Sequence, residues 1–172
     1  MEPTFWTGLG SGVLAAGALG FSIWQYLRTN KRLEAVERKE HRQAERRNAE
    51  AVTAWFELPN LAVIRNASDA VIYEVIVALR NANHVEEGLG PAVQPWLAVA
   101  QLVPPGKEAR IELPGGWGGM GFKPAIEAAF RDAAGMWWVR GHRGTLSEVQ
   151  GTAYQRYGLM LPLSYARVDY TK

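Results

Sequence analysis

One stretch of this chain spells a pattern that names a chemistry outright: Gly116-Trp-Gly118-Gly-Met-Gly121, the letters G-x-G-x-x-G. In a dinucleotide site such glycines follow a strand and open a helix whose N-terminus holds the pyrophosphate. An acid near the end of the next strand then binds the ribose. Here a strand ending at Leu113 and a short helix opening at Pro124 would supply the context. The next strand, however, runs into Arg140-Gly-His-Arg143 with no acid. Only one such unit fits in the sequence. The spacing therefore predicts a glycine-rich surface loop over residues 115–121, with nucleotide binding as the lesser reading.

The remaining chemistry-bearing residues are scattered. His84 with Glu86 and Glu87 has the donor types of a metal site, but all three sit in one polar loop without a second ligand cluster, so they read as solvated side chains. His142 lies between basic residues, and His41 among mixed charges. Ser68, Ser147 and Ser164 lack a G-x-S-x-G elbow or an evident base. There is no cysteine, which excludes thiolate catalysis, disulfides and zinc-finger spacing and makes a reducing compartment the easier reading. Asn66-Ala-Ser68 is a formal glycosylation triplet of a kind frequent by chance. No catalytic residue, cofactor or metal ligand is assigned, and no enzymatic activity is expected. Trp137 and Trp138 are adjacent in a strand and must face opposite ways. One is expected in the core. The other, taken as Trp137, is expected to form with Trp117 an exposed apolar patch for a partner, the competing reading being cover by neighbouring chain.

The elements that must carry these residues are short strands. Leu61-Ala-Val-Ile-Arg65 is followed by Asn66-Ala-Ser-Asp69, a turn by composition. Ala70–Arg80 is rich in β-branched residues, with Val71, Tyr73, Val75, Val77 and Leu79 placed on one face by strict alternation. Asn81–Pro95 reads as a loop, Trp96–Val103 as a strand, and Pro104-Pro-Gly-Lys107 as its stop. Ala109–Leu113 alternates with Ile111 inward. Residues 125–133 fit either period and are assigned to a strand that turns through Asp132-Ala-Ala-Gly135 into Met136–Arg140. Residues 55–149 thus read as an antiparallel β-sandwich of immunoglobulin or fibronectin size, a mainly β fold lacking the disulfide. The 150–172 tail contains Tyr154, Tyr157, Tyr165 and Tyr170 without a clear period.

Ahead of the sandwich lies a different grammar. Thr4–Leu27 holds no charged side chain over about 24 residues, roughly 36 Å as a helix, against a hydrocarbon core of about 30 Å. Residues 1–28 are read as a transmembrane anchor. Glu2 precedes the run, and Arg28, Lys31, Arg32, Arg38 and Lys39 follow it, the reverse of a cleaved signal peptide. The positive-inside rule then puts the short N-terminus outside and the bulk of the chain in the cytoplasm. Phe5 and Trp6 at one end and Trp24 and Tyr26 at the other match the interfacial aromatic belts, while Arg28, Lys31 and Arg32 lie within reach of anionic headgroups. Gly8, Gly12, Ala16 and Gly20 recur every fourth residue, a face along which two helices can approach closely.

Residues 29–54 form the next segment. From Lys31 to Thr53 it has no glycine or proline, and it carries opposite charges four apart at Glu34/Arg38 and Arg46/Glu50. Leu33, Val36, Ala44 and Ala51 are too sparse for a coiled-coil seam. The segment is expected to be a solvated helical stalk of roughly 35 Å. Four glutamates interleave with the eight basic residues from Arg28 to Arg47 and no aromatics join them, and the formal net charge is only +2, so no nucleic-acid partner is expected.

Val63-Ile-Arg-Asn-Ala-Ser-Asp69, Leu102-Val-Pro-Pro-Gly106, Phe130–Arg140 and Gly144-Thr-Leu146 together resemble a pattern in uncharacterised membrane-anchored proteins of actinobacteria. The likeness spans roughly residues 55 to 149 and implies an anchor, a charged helix and a small β-sandwich. Its residues are turns, a core tryptophan and a strand phenylalanine, so it implies no catalytic group. The expectation is an inner-membrane, single-pass protein that displays an interaction module. Its expected partners are membrane lipid, a second copy through the anchor, and an unidentified cytoplasmic protein. A phage or secretion accessory protein that oligomerises through its anchor is the alternative.

Overall fold

The computed structural model describes residues 36–37, 39–83, 96–115 and 121–171. The chain divides into Met1–Ala44 and Glu45–Lys172. The described part of the first unit is helical. Among the described residues no helix is long and apolar enough to cross a membrane, and the expected anchor, with its interfacial and small-residue positions, lies outside them. Trp117 and the cluster of His84, Glu86 and Glu87 also lie outside the described residues.

Helix α1 covers residues 39–50. The second unit is mainly β: β1 (Val52–Glu57), β2 (Leu61–Asn66), β3 (Ile72–Asn81), β4 (Leu97–Val103), β5 (Glu108–Glu112), β6 (Pro124–Arg131), β7 (Trp137–Arg140), β8 (Leu146–Val149), α2 (Ala153–Tyr157) and β9 (Asp169–Thr171). Two antiparallel sheets result, in the orders β1-β2-β5-β9 and β4-β3-β6-β7-β8. The core lies between them. Ala62, Ile64, Ala109 and Ile111 of the first sheet pack with Val75, Val77, Leu79, Ala100, Ile126, Phe130 and Trp138 of the second. This is a β-sandwich, as the alternating strands indicate. The segment that fitted both periods is strand β6, and its turn into β7 places Gly135 at φ +88°, where a side chain would be strained. Asp132 locks that turn by accepting from the Met136 amide (2.8 Å) and from the Trp138 indole Nε1 (2.7 Å).

The expected stalk helix stops short of residue 54. Its last turn already belongs to the sandwich, since Ala49 and Val52 are core residues and β1 begins at Val52. Arg140 explains the break. Its guanidinium donates to the carbonyls of Ala49 (3.2 Å), Glu50 (2.7 Å) and Val52 (3.0 Å), satisfying oxygens that a helix end leaves bare.

Strand β3 also departs from strict alternation. A bulge between Tyr73 and Ile76 holds Glu74 at φ +52°, so Ile72 joins Val75, Val77 and Leu79 in the core and Tyr73 turns to the outer face. The Asn66–Asp69 turn is more than a surface turn. Asn66 is fully buried, donates its Nδ2 to the carbonyls of Ala70 (2.8 Å) and Val103 (3.0 Å), and accepts from the Ser68 amide and hydroxyl. An amide so engaged is closed to glycosylation in the folded state.

Candidate functional site

Chemically rich side chains gather on the outer face of the second sheet. That face would be apolar if left bare. Ile76 and Ala78 of β3, Val99 of β4, Ala129 of β6, and Trp137 and Val139 of β7 form a second cluster away from the inter-sheet core. The tail covers it. Ala153 and Tyr157 of α2 are buried against these residues, and Tyr154, Leu159 and Leu163 pack beside them. Trp137 meets Tyr154 edge to face at 5.1 Å between ring centroids, a geometry that aromatic quadrupoles favour.

A buried carboxylate fastens the tail. Glu127 of β6 receives the Arg80 guanidinium at 2.8 Å and the Tyr157 hydroxyl at 2.7 Å, with Arg156 at 3.7 Å. Burial pushes the Glu127 carboxyl up, but the hydrogen bonds from Arg80 and Tyr157 and the charges of Arg80 and Arg156 outweigh it and hold the group below the ordinary carboxylate range. Burial, with Glu127 adding to it, pushes the Tyr157 phenol well up. Glu74, at the bulge, receives Arg131 at 2.7 Å, and the Tyr154 phenol is pushed up first by burial and then by Glu74. Arg131 in turn sits over the Tyr73 ring at 5.6 Å. Tyr157 thus bonds one sheet carboxylate, Glu127, and each of the two carboxylates is already paired with a sheet arginine.

Glu127, saturated in this way and held below the ordinary carboxylate range, stays ionised at neutral pH. It is placed to accept hydrogen bonds, and a general base would need the opposite shift. Among the described residues no group of three or more His, Cys, Asp or Glu side chains is arranged to hold a metal ion. His142 sits in the β7–β8 turn with its Nε2 out of solvent contact and no hydrogen-bond partner. Of the serines, Ser68 is consumed by the Asn66 turn, Ser147 faces Val139 on β8, and Ser164 is exposed in the tail.

The expected partner patch at Trp137 is corrected. Trp137 is 5% exposed and Trp138 6%, because the sheet has a core on both sides. Trp138 points between the sheets and Trp137 lies under the tail. Among the described strands the accessible tryptophan is Trp55 of β1, at 36%. Its only sequence signal is alternation with the inward Ala54 and Phe56, hidden because the stalk reading takes in the strand's first half, up to residue 54. No family model, curated protein or solved structure matches this chain.

Proposed function

We propose that this chain is a single-pass, membrane-tethered protein whose β-sandwich is an interaction module held at the cytoplasmic face, with no catalytic step of its own. One observation carries the reading: the uncharged run Thr4–Leu27, acidic before it and basic after it at Arg28, Lys31 and Arg32. Tethering is the mechanism. Confinement to a membrane raises the local concentration of the sandwich for whatever it binds. A fibronectin- or immunoglobulin-like relation is supported by strand order. The run β1-β2-β5 opposite β4-β3-β6-β7 has the A-B-E and C′-C-F-G arrangement, with β9 in the place of strand D.

Protease added to intact spheroplasts tests the reading. The sandwich should survive until the cells are lysed, and its removal from intact cells would overturn both orientation and partner compartment. The repeat Gly8, Gly12, Ala16 and Gly20 favours a second reading, an accessory protein that works by oligomerising through its anchor. The two part company on whether Gly12→Ile, which blocks that helix face, abolishes function or leaves it intact.

A further inference from the structure

A sandwich of two open sheets has four edges, and three of them are blunted. Strand β9 is three residues long and β8 four. Strand β4 is braced by the tail, whose Ala166 amide donates to the Val99 carbonyl (2.8 Å) and whose Tyr170 hydroxyl donates to the Leu102 carbonyl (2.7 Å). Strand β1 differs. It is six residues long, it pairs on one side only among the described residues, and its sequence Val-Thr-Ala-Trp-Phe-Glu has no lysine, proline or glycine and one charge, Glu57, at its end. Such an edge is a template for another strand. Arg140 occupies the Val52 carbonyl, which leaves residues 53–57 open to pairing.

We infer that the β1 edge, residues Thr53–Glu57, pairs antiparallel with β1 of a second copy of this chain about a two-fold axis at Trp55. The segment is self-complementary in that register. Trp55 opposes Trp55 of the other copy, Thr53 opposes Glu57, and Ala54 opposes Phe56, so no like charges face each other. Outer-face residues meet outer-face residues, and inner meet inner, because the paired positions differ by an even number. The two first sheets become one continuous sheet carrying a pair of tryptophans at its centre. Five residues a side bury far less than the roughly 1,200 Å² of an ordinary stable interface, so the pairing needs the membrane to hold two copies together. In this respect the inference rests on the anchor proposed above.

The chain has no cysteine, so single-cysteine variants of the full-length protein in native membranes give a clean test. Directly opposed side chains in an antiparallel pair have Cβ atoms about 4.5–5.5 Å apart, within reach of disulfide formation after small movement. Under mild oxidation Trp55→Cys should give a disulfide dimer, while Leu58→Cys, exposed in the β1–β2 turn beyond the pairing window, should give about tenfold less. Thr53→Lys on the Trp55→Cys background should lower the yield by about tenfold with the melting temperature unchanged. Because Trp55→Cys could itself loosen the sheet, cross-linking at Thr53→Cys through a short bis-maleimide to Glu57→Cys on a co-expressed copy checks the same register with Trp55 intact. Membrane-retained protein that stays monomeric at these positions, or that cross-links equally at Leu58→Cys, overturns the inference and leaves the anchor standing. Release of the wild-type chain by alkaline carbonate would instead sink the anchor.

Discussion

The two outer faces of the sandwich solve the same problem in opposite ways. On the first sheet the outward row Trp55–Val63–Arg110–Asp169 runs across all four strands, flanked by Arg65, Glu108 and Glu57. Charged pairs spread over it: Arg65–Glu108 at 3.8 Å, Arg110–Glu57 at 3.5 Å and Arg110–Glu108 at 3.6 Å. Only Val63 is buried there, standing between Trp55 and Arg110 in the register. The second sheet instead turns an apolar face outward and relies on the chain's own C-terminal segment to cover it. A polar face can meet water directly, whereas an apolar one needs a third layer. The tail therefore belongs to the fold, covering the second sheet and adding β9 to the edge of the first.

The largest test of this contrast removes the cover. A chain ending at Val149 bares Ile76, Ala78, Val99, Ala129, Trp137 and Val139 together. At about 1.5–3 kcal/mol for each large side chain, the loss should exceed about 5 kcal/mol, comparable with a whole domain's stability. The truncated protein should lose cooperative unfolding and bind a hydrophobic dye. A sharp, near-normal melt would mean that the tail is ornamental.

A pair of tryptophan substitutions compares the faces directly. Trp137→Ala should cost about 3–5 kcal/mol in urea unfolding, as large-to-small changes in cores do. Trp55→Ala should cost less than half as much. Equal losses would erase the distinction drawn between the faces.

Ion pairs should separate in the same order. Arg80→Ala removes the nearest charge from the buried Glu127 carboxylate, leaving it Tyr157 and Arg156, and should destabilise by about 2 kcal/mol, whereas Arg65→Ala, which breaks an exposed pair, should shift stability by less than about 0.5 kcal/mol.

The smallest effect is one of pH. The folded state holds Glu127 below its ordinary value, so its contribution is fully present above the unfolded carboxylate pKa of about 4.3 and is lost as pH falls through the folded value. The urea midpoint of the wild type should decline below about pH 4.5 more steeply than that of Glu127→Gln. Parallel curves would show that the carboxylate does not fasten the tail.

Much of this fold was legible in the sequence. Strands β2 to β7 lie where β-rich runs and turn residues put them, and Gly135 marks its hairpin because few residues tolerate φ near +88°. The misreadings share a cause. Residues 52–54 continue a helix-rich composition, and nothing local shows that Arg140, far along the chain, meets the carbonyls at the end of α1. Tyr73 was placed in the core because a period of two cannot foresee a bulge. The site was less legible than the fold. Glu127, Arg80, Tyr154, Tyr157 and Glu74 carry no motif, and only the docking of a short helix on a sheet brings them together.

The sequence by itself determined the order of grammars: an uncharged run, a charged segment, then alternating strands. Those are properties of composition and periodicity, which neighbouring residues settle locally. The tertiary structure alone decided which of two adjacent tryptophans faced which core, and that neither was free. Alternation tells a strand that its residues point two ways, but what waits on each side is set by chain that arrives from elsewhere. Trp137 lies under a tail that begins more than ten residues later, so its burial could be read only once that tail had been seen to fold back.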